Sequence, residues 1–197
     1  MPIPTRRPRG PTLPAHRLPD LPGRVAIPEQ QRGTFSPLEH FNTAPADTVR
    51  GVLLSCLSSV SWADRIVAHR PYPDLGALLA AADEAAYDLG PADLAEALAA
   101  ESLPALPADT YAAAHTALSA AHAAYEARFG HVFVIYLGDT PVGEILDRVL
   151  EGIRSRLAND PEEERIVAAD QLRRLAKKRL LDAAWGARGR DGAAPGG

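Results

Sequence analysis

The sequence predicts an all-α fold: a compact bundle of seven or eight helices with one short extended segment near 131–137. Three observations point there. Apolar residues recur at helical spacing through an alanine-rich chain that is 46% hydrophobic but only 6% aromatic. Proline, glycine and small polar caps punctuate the chain every few turns. No strands alternate with the helices and no internal repeat is present, so neither a parallel sheet nor a solenoid is indicated.

The first 33 residues hold eight of the eighteen prolines. Proline removes amide donors and is excluded from helix interiors, so 1–33 reads as a disordered, Pro/Arg-rich arm. A single helical domain is expected over 34–185. Ser36 and Pro37 supply an N-cap and a first helical residue, opening a short helix through His40. Thr43 or Ala44 ahead of Pro45 starts a second, with Val49, Val52, Leu53 and Cys56 on one face. Ser61 caps a third, which runs to His69 and stops before Pro71. A fourth covers 74–89 and is closed by Gly90, and Pro91 opens a fifth that reaches Ala100. Pro104 and Pro107 break the chain, and Asp109 or Thr110 caps a long helix ending at Phe129. Beyond the extended segment, Gly138 and Asp139 form a turn. Thr140 and Pro141 then open a helix carrying Ile145, Leu146, Val149, Leu150, Ile153 and Leu157 at helical spacing. Asn159, Asp160 and Pro161 end it and cap the last helix, whose expected apolar face is Ile166, Val167, Leu172, Leu175, Leu180 and Leu181. Residues 186–197 read as a second disordered tail.

The formal net charge of −4 is unevenly spread. Arg6, Arg7, Arg9, Arg17, Arg24 and Arg32 against Asp20 and Glu29 give the arm +4, and Arg188, Arg190 and Asp191 give the tail +1. The remainder, near −9 by difference, argues against a nucleic-acid surface on the folded part. Cys56 is the single cysteine, so neither a disulfide within the chain nor a thiolate metal site can form. No apolar run reaches membrane-spanning length, and the basic N-terminus lacks the apolar centre of a secretion signal. A cytoplasmic protein without a membrane partner is expected.

Generic catalytic signatures are missing: no phosphate loop, no His-Glu-x-x-His, no Gly-x-Ser-x-Gly. The histidines at 16, 40, 69, 115, 122 and 131 show no metal-ligand spacing, so no metal is expected. His115 and His122 share one helix face and read as surface or core residues. Arg173, Arg174, Lys177 and Lys178 read as a solvated basic face; Arg179 beside them either joins that face or turns inward to hold a carboxylate in a bidentate fork.

Residues 125–135 are the most informative stretch. They read Tyr-Glu-Ala-Arg-Phe-Gly-His-Val-Phe-Val-Ile: a helix to Phe129, a stop at Gly130, then a short apolar run of β-formers. Inside a helical protein such a segment cannot leave its amides unpaired, and either a buried connector contact or a ligand must serve them.

Several residue groups, in order, define a resemblance. They are Phe41-Asn42; Leu53-Leu54-Ser55-Cys56 through Ser59; Trp62-Ala63 with Arg65; Arg70-Pro71; Tyr125, Arg128-Phe129-Gly130 and Phe133-Val134-Ile135; and Arg156-Leu157, Asn159, Glu164 and Arg179-Leu180. Over roughly 41–181 the chain resembles the 2-oxo-4-hydroxy-4-carboxy-5-ureidoimidazoline (OHCU) decarboxylases of urate breakdown. The resemblance implies an all-helical, cofactor-free homodimer in purine metabolism. Its substrate is a labile ureidoimidazoline carboxylate, which loses carbon dioxide and takes a proton on one face to give S-allantoin. It also implies that the backbone at Phe133, Val134 and Ile135 binds the ring and ureido groups, and that Arg179 contacts the substrate.

The chain departs from the family at one place. A His-Pro-Arg-hydrophobic-Gly run, followed by Ser-x-x-Glu-Gln, is absent, and about twenty residues of that pattern are missing between Ala100 and the long helix. Glu101 either corresponds to the family glutamate after a deletion or stands in the place of the histidine. Glu101 is the candidate catalytic residue, and one reading keeps the enzyme but changes the reaction, with Glu101 as the general base. His69, beside Arg70-Pro71, and His131, beside the extended segment, are the alternative proton carriers. Two functions follow: a decarboxylase of the ureidoimidazoline or a related small acid, and a non-catalytic relative that binds a small ligand or a partner protein.

Overall fold

Capping chemistry sets the helix boundaries in the computed structural model, which describes residues 36–103 and 112–185. Among these, eight helices follow in order: α1 (Pro37–Thr43), α2 (Ala46–Cys56), α3 (Val60–Ala68), α4 (Leu75–Tyr87), α5 (Pro91–Ala99), α6 (Ala112–Phe129), α7 (Ile145–Arg156) and α8 (Pro161–Trp185). The Ser36 hydroxyl accepts from the Glu39 amide while the Glu39 carboxylate accepts from the Ser36 amide, and Pro37 needs no amide partner. That reciprocal cap carries α1 to Thr43, beyond the expected end at His40. Asp74 caps α4 through the Ala77 amide, and Asp160 caps α8 through the amides of Glu162 and Glu163.

Several boundaries differ from the sequence reading. Ser59, fully buried, caps α3 through the Trp62 amide, whereas Ser61 is an exposed residue inside the helix. α4 ends at Tyr87, two residues early, and a 3₁₀ turn over Val142–Glu144 precedes α7. The expected caps at Asp109 and Thr110, the arm 1–33 and the tail 186–197 lie outside the described residues. All described residues belong to one compact unit.

α8 is the axis of this unit and packs against α1, α2 and α4. Its buried stripe is Ala168, Leu172, Ala176 and Leu180, one residue per turn. The two alanines let α4 approach with Leu78, Ala82, Ala85 and Ala86. Ile166, expected on this face, is 60% exposed because it sits about 200° around the helix from Ala168. Val52 lies at the edge of the Val49–Leu53–Cys56 stripe and is also exposed.

Two apolar cores result. The larger gathers residues from α1 to α5 and α8; the smaller joins α6 to α7 through Leu118, Tyr125, Val149 and Ile153. The extended segment stitches them together, since Val134 packs in the first core and Phe133 in the second. Adjacent residues of an extended chain point to opposite sides, so one short segment can fill both.

Much of the early family pattern is scaffold. The Asn42 side chain exchanges two hydrogen bonds of 2.9 Å with the Tyr72 backbone, and Arg70 donates to the carbonyls of Phe41 and Ala44 at the end of α1. The Trp62 indole donates to the Ala82 carbonyl, tying α3 to α4.

Gly152 on α7 permits the extended segment to pack closely. A Cβ there would lie 3.1 Å from Phe133 Cζ and 3.2 Å from Ile135 Cδ1. Gly152→Val is therefore expected to destabilise the protein by about 1–3 kcal/mol through overpacking. Gly51→Ala, with open space around the added carbon, is expected to stabilise it by about 0.5–1 kcal/mol. Urea unfolding of the two variants checks both signs.

Candidate functional site

Residues 131–137 are extended, yet among the described residues they pair with no strand. Besides the local bonds that Thr140 donates to the Leu137 carbonyl, two bonds tie them to neighbouring helices. The Val134 carbonyl accepts from Arg156 Nη1 at 2.6 Å, and the Tyr136 amide donates to Gln171 Oε1 at 2.8 Å. Both anchors come from α7 and α8. Since successive residues of an extended chain aim their polar groups oppositely, the amide and carbonyl of Ile135 face away from these anchors. Among the described residues the amides of Phe133 and Ile135 have no protein acceptor.

Arg156 belongs to a buried polar cluster that fixes the segment from behind. It donates from Nε to Glu164 Oε1 at 2.8 Å and from Nη2 to the same oxygen and to the Tyr125 hydroxyl. The Tyr125 hydroxyl donates to Glu164, and Asn159 Nδ2 donates to the other Glu164 oxygen at 2.9 Å. Glu164 and Tyr125 are fully buried. Burial, reinforced by the bond to Glu164, drives the Tyr125 phenol well above its usual range, so it stays a donor. The guanidinium also lies 4.5 Å from the Phe133 ring centroid. Charge, ring and backbone thus lock Phe133 and Val134 in place.

In front of the segment is a cavity of about 400 Å³. Residues 133–138 form one wall, 101–103 another, and Leu175, Lys178 and Arg179 of α8 a third. Arg179 grips Glu101 in a two-pronged fork, Nη1 to Oε1 at 2.7 Å and Nη2 to Oε2 at 2.8 Å, and also donates to the Cys56 carbonyl at 3.1 Å. The Glu101 side chain is 7% exposed, and the pairing raises the Arg179 pKa above its ordinary value. Lys178 is paired with Asp182 at 2.7 Å.

The match to known proteins decides the family. The model of the OHCU decarboxylase family matches residues 42–181, well over half of the chain. This chain belongs to the OHCU decarboxylase family.

Solved structures agree on the fold. A crystal structure of (S)-allantoin synthase superposes with a TM-score of 0.59 at 20% identity, covering 74% of this chain and 53% of that one. A crystal structure of OHCU decarboxylase in the presence of (S)-allantoin gives a TM-score of 0.56 at 20% identity, covering 66% of this chain and 94% of that one. The chain thus spans about half the length of the allantoin synthase. No curated protein matches it in sequence.

Relative to the OHCU decarboxylase pattern, the residues singled out from sequence divide clearly. Glu101, Phe133, Val134, Ile135 and Arg179 all line the one cavity. The two alternative histidines do not. His69 is exposed at the end of α3, its Nδ1 2.6 Å from the Arg65 carbonyl. His131 turns to the other side of the segment, into a separate cavity of about 270 Å³ bounded by α5, the end of α6 and the start of α8. Among the described residues, no group of three His, Cys, Asp or Glu side chains is arranged to hold a metal. No helix among them is long and apolar enough to cross a membrane.

Sequence reasoning missed four contributors. Lys178 was read as part of a solvated face yet borders the cavity, and Gln171 holds the wall at Tyr136. Arg156 and Glu164 carried no assigned role, although a charged residue within the apolar register of each helix was the available signal.

His122 is the buried histidine of the domain, 3% exposed, with its Nε2 lacking a hydrogen-bond partner and its ring centroid 6.2 Å from that of Phe133. Burial lowers its pKa, opposed only in part by Glu126 on the same helix. A histidine held neutral in the folded state contributes stability above its unfolded pKa of about 6.5, and that stability declines as pH falls through this value toward the lower folded pKa. Unfolding midpoints are expected to drop between pH 7.5 and pH 5, and His122→Leu to flatten that drop.

Proposed function

We propose that this cavity binds a ureidoimidazoline carboxylate and catalyses its decarboxylation to allantoin, within one helical domain over 34–185. The observation that carries this reading is the meeting of an amide-bearing wall at 133–135 with Arg179 in a single cavity of suitable size. The outward amide and carbonyl of Ile135 suit the ureido and ring amides of such a substrate, and Arg179 suits its carboxylate. Departure of carbon dioxide breaks the bond between carboxylate and ring carbon and leaves its electron pair in the ring system. A proton is then added to one face. In the resting protein both Glu101 oxygens are taken up by Arg179. When the substrate carboxylate takes the guanidinium, Glu101 is released beside it, takes up a proton from solvent, and delivers that proton to the ring carbon as carbon dioxide leaves. Homodimerisation, cofactor-free chemistry and a cytoplasmic place in purine catabolism belong to the same reading.

The test is the disappearance of freshly generated ureidoimidazoline faster than its spontaneous decay. A second reading, ligand binding without turnover, is favoured by one observation: neither His69 nor His131 borders the cavity. Binding of allantoin with no acceleration of substrate loss would select it.

A further inference from the structure

We propose that Glu101 is the specificity-determining residue of this cavity, an internal competitor for Arg179 that sets how well the site accepts carboxylated ligands over uncharged cyclic ureides. The inference rests on the reading of the cavity as a ureide site and adds what governs ligand charge there. Two observations carry it.

First, the fork between Arg179 and Glu101 occupies the end-on face of the guanidinium, Nη1 and Nη2, at 2.7 and 2.8 Å, and Nη1 also serves the Cys56 carbonyl. The Glu101 carboxylate is nearly inaccessible, with a side chain 7% exposed, so a bulk-water carboxylate competes against a partner already desolvated and fixed. Second, Lys178, the other cation of the cavity, is paired with Asp182 through both carboxylate oxygens at 2.7 Å. Among the described residues, therefore, each cation of the cavity already holds a carboxylate, Arg179 in a shielded fork and Lys178 at the surface. What it does offer is uncharged: the backbone of 133–137, with the Ile135 amide and carbonyl turned from their neighbours' anchors.

Such a site takes an uncharged cyclic ureide without rearrangement. A carboxylated ureide gains the end-on grip of Arg179 by exchange, displacing Glu101. After decarboxylation the ligand has lost its claim on the guanidinium, Glu101 returns, and the uncharged product is left holding only the backbone wall. Glu101 would thereby set ligand entry and exit as well as charge preference.

Calorimetric titration with a matched pair of probes tests this. Dihydrouracil and dihydroorotate share a cyclic ureide ring and differ by one carboxylate. The native protein is expected to bind dihydrouracil at least as tightly as dihydroorotate. Glu101→Gln, which cannot hold the guanidinium as a charged fork, is expected to tighten dihydroorotate by about tenfold or more and to leave dihydrouracil unchanged. Glu101→Asp, which retains the charge, is expected to keep the native order and shows that charge, not a fold defect, is responsible. In turnover, Glu101→Gln is expected to lower KM while kcat also falls, a split that a merely structural residue would not give. Native preference for dihydroorotate by tenfold, or an unchanged ratio in Glu101→Gln, overturns the proposal while leaving decarboxylation intact. Failure of both probes and of allantoin to bind overturns the ureide reading along with it.

Discussion

Replacing Arg156 by leucine lowers the unfolding free energy by about 3–5 kcal/mol, the cost of leaving a buried charge without its partner. Glu164 is fully buried, and Arg156 is its cationic partner. The same substitution removes the donor to the Val134 carbonyl and the cation over the Phe133 ring. Loss of stability and loss of the cavity wall should therefore appear together. Urea unfolding at pH 7 measures the first, and titration with allantoin under folding conditions measures the second. Adding Glu164→Leu to Arg156→Leu removes the stranded carboxylate and should recover a large part of the stability. It should not recover binding, because Val134 still lacks its anchor. Recovery of both would mean that the cluster supports the fold without shaping the site.

Arg179→Ala is expected to reduce catalysed substrate loss by about 10²-fold or more, because the substrate loses the carboxylate anchor that places it against the amide wall and Glu101. Arg179 is the guanidinium that borders the amide wall, and it also holds Glu101 and the Cys56 carbonyl. Truncation alone would leave Glu101 buried and unpaired, so a folding defect must be separated from a catalytic one. Arg179→Lys keeps the charge but loses the planar fork, and it should retain the fold while losing most activity. Pairing Arg179→Ala with Glu101→Gln removes the stranded charge and should restore stability but not turnover. A double variant with native turnover would remove Arg179 from the proposed chemistry.

Much of the fold was legible because helix punctuation is local chemistry. Ser36, Asp74 and Asp160 announce helix starts through side-chain bonds to amides two or three positions on, and Pro37 and Pro91 do so by needing no amide partner at the first helical position. Ser59 was not chosen over Ser61 because both precede the same apolar residues, and only burial distinguishes them. The face of α8 was misread at Ile166 because the true stripe uses alanines, which carry little hydrophobic signal, to admit α4. The extended segment was visible as a break in helical text after Gly130, whose φ of +77° ends α6. Its anchors were not visible, since Arg156 and Gln171 reach it from 22 and 35 residues away. Nor could the sequence say that Glu101 and Arg179, 78 residues apart, would close on one another. Their pairing is a product of tertiary packing, and it is what gives the cavity its charge.

Chiral analysis of the allantoin formed from freshly generated ureidoimidazoline, with and without the protein, tests the central claim most directly. The account predicts an excess of S-allantoin that grows with protein concentration and vanishes in Arg179→Ala. Racemic allantoin formed at the spontaneous rate, whatever the protein concentration, would contradict it.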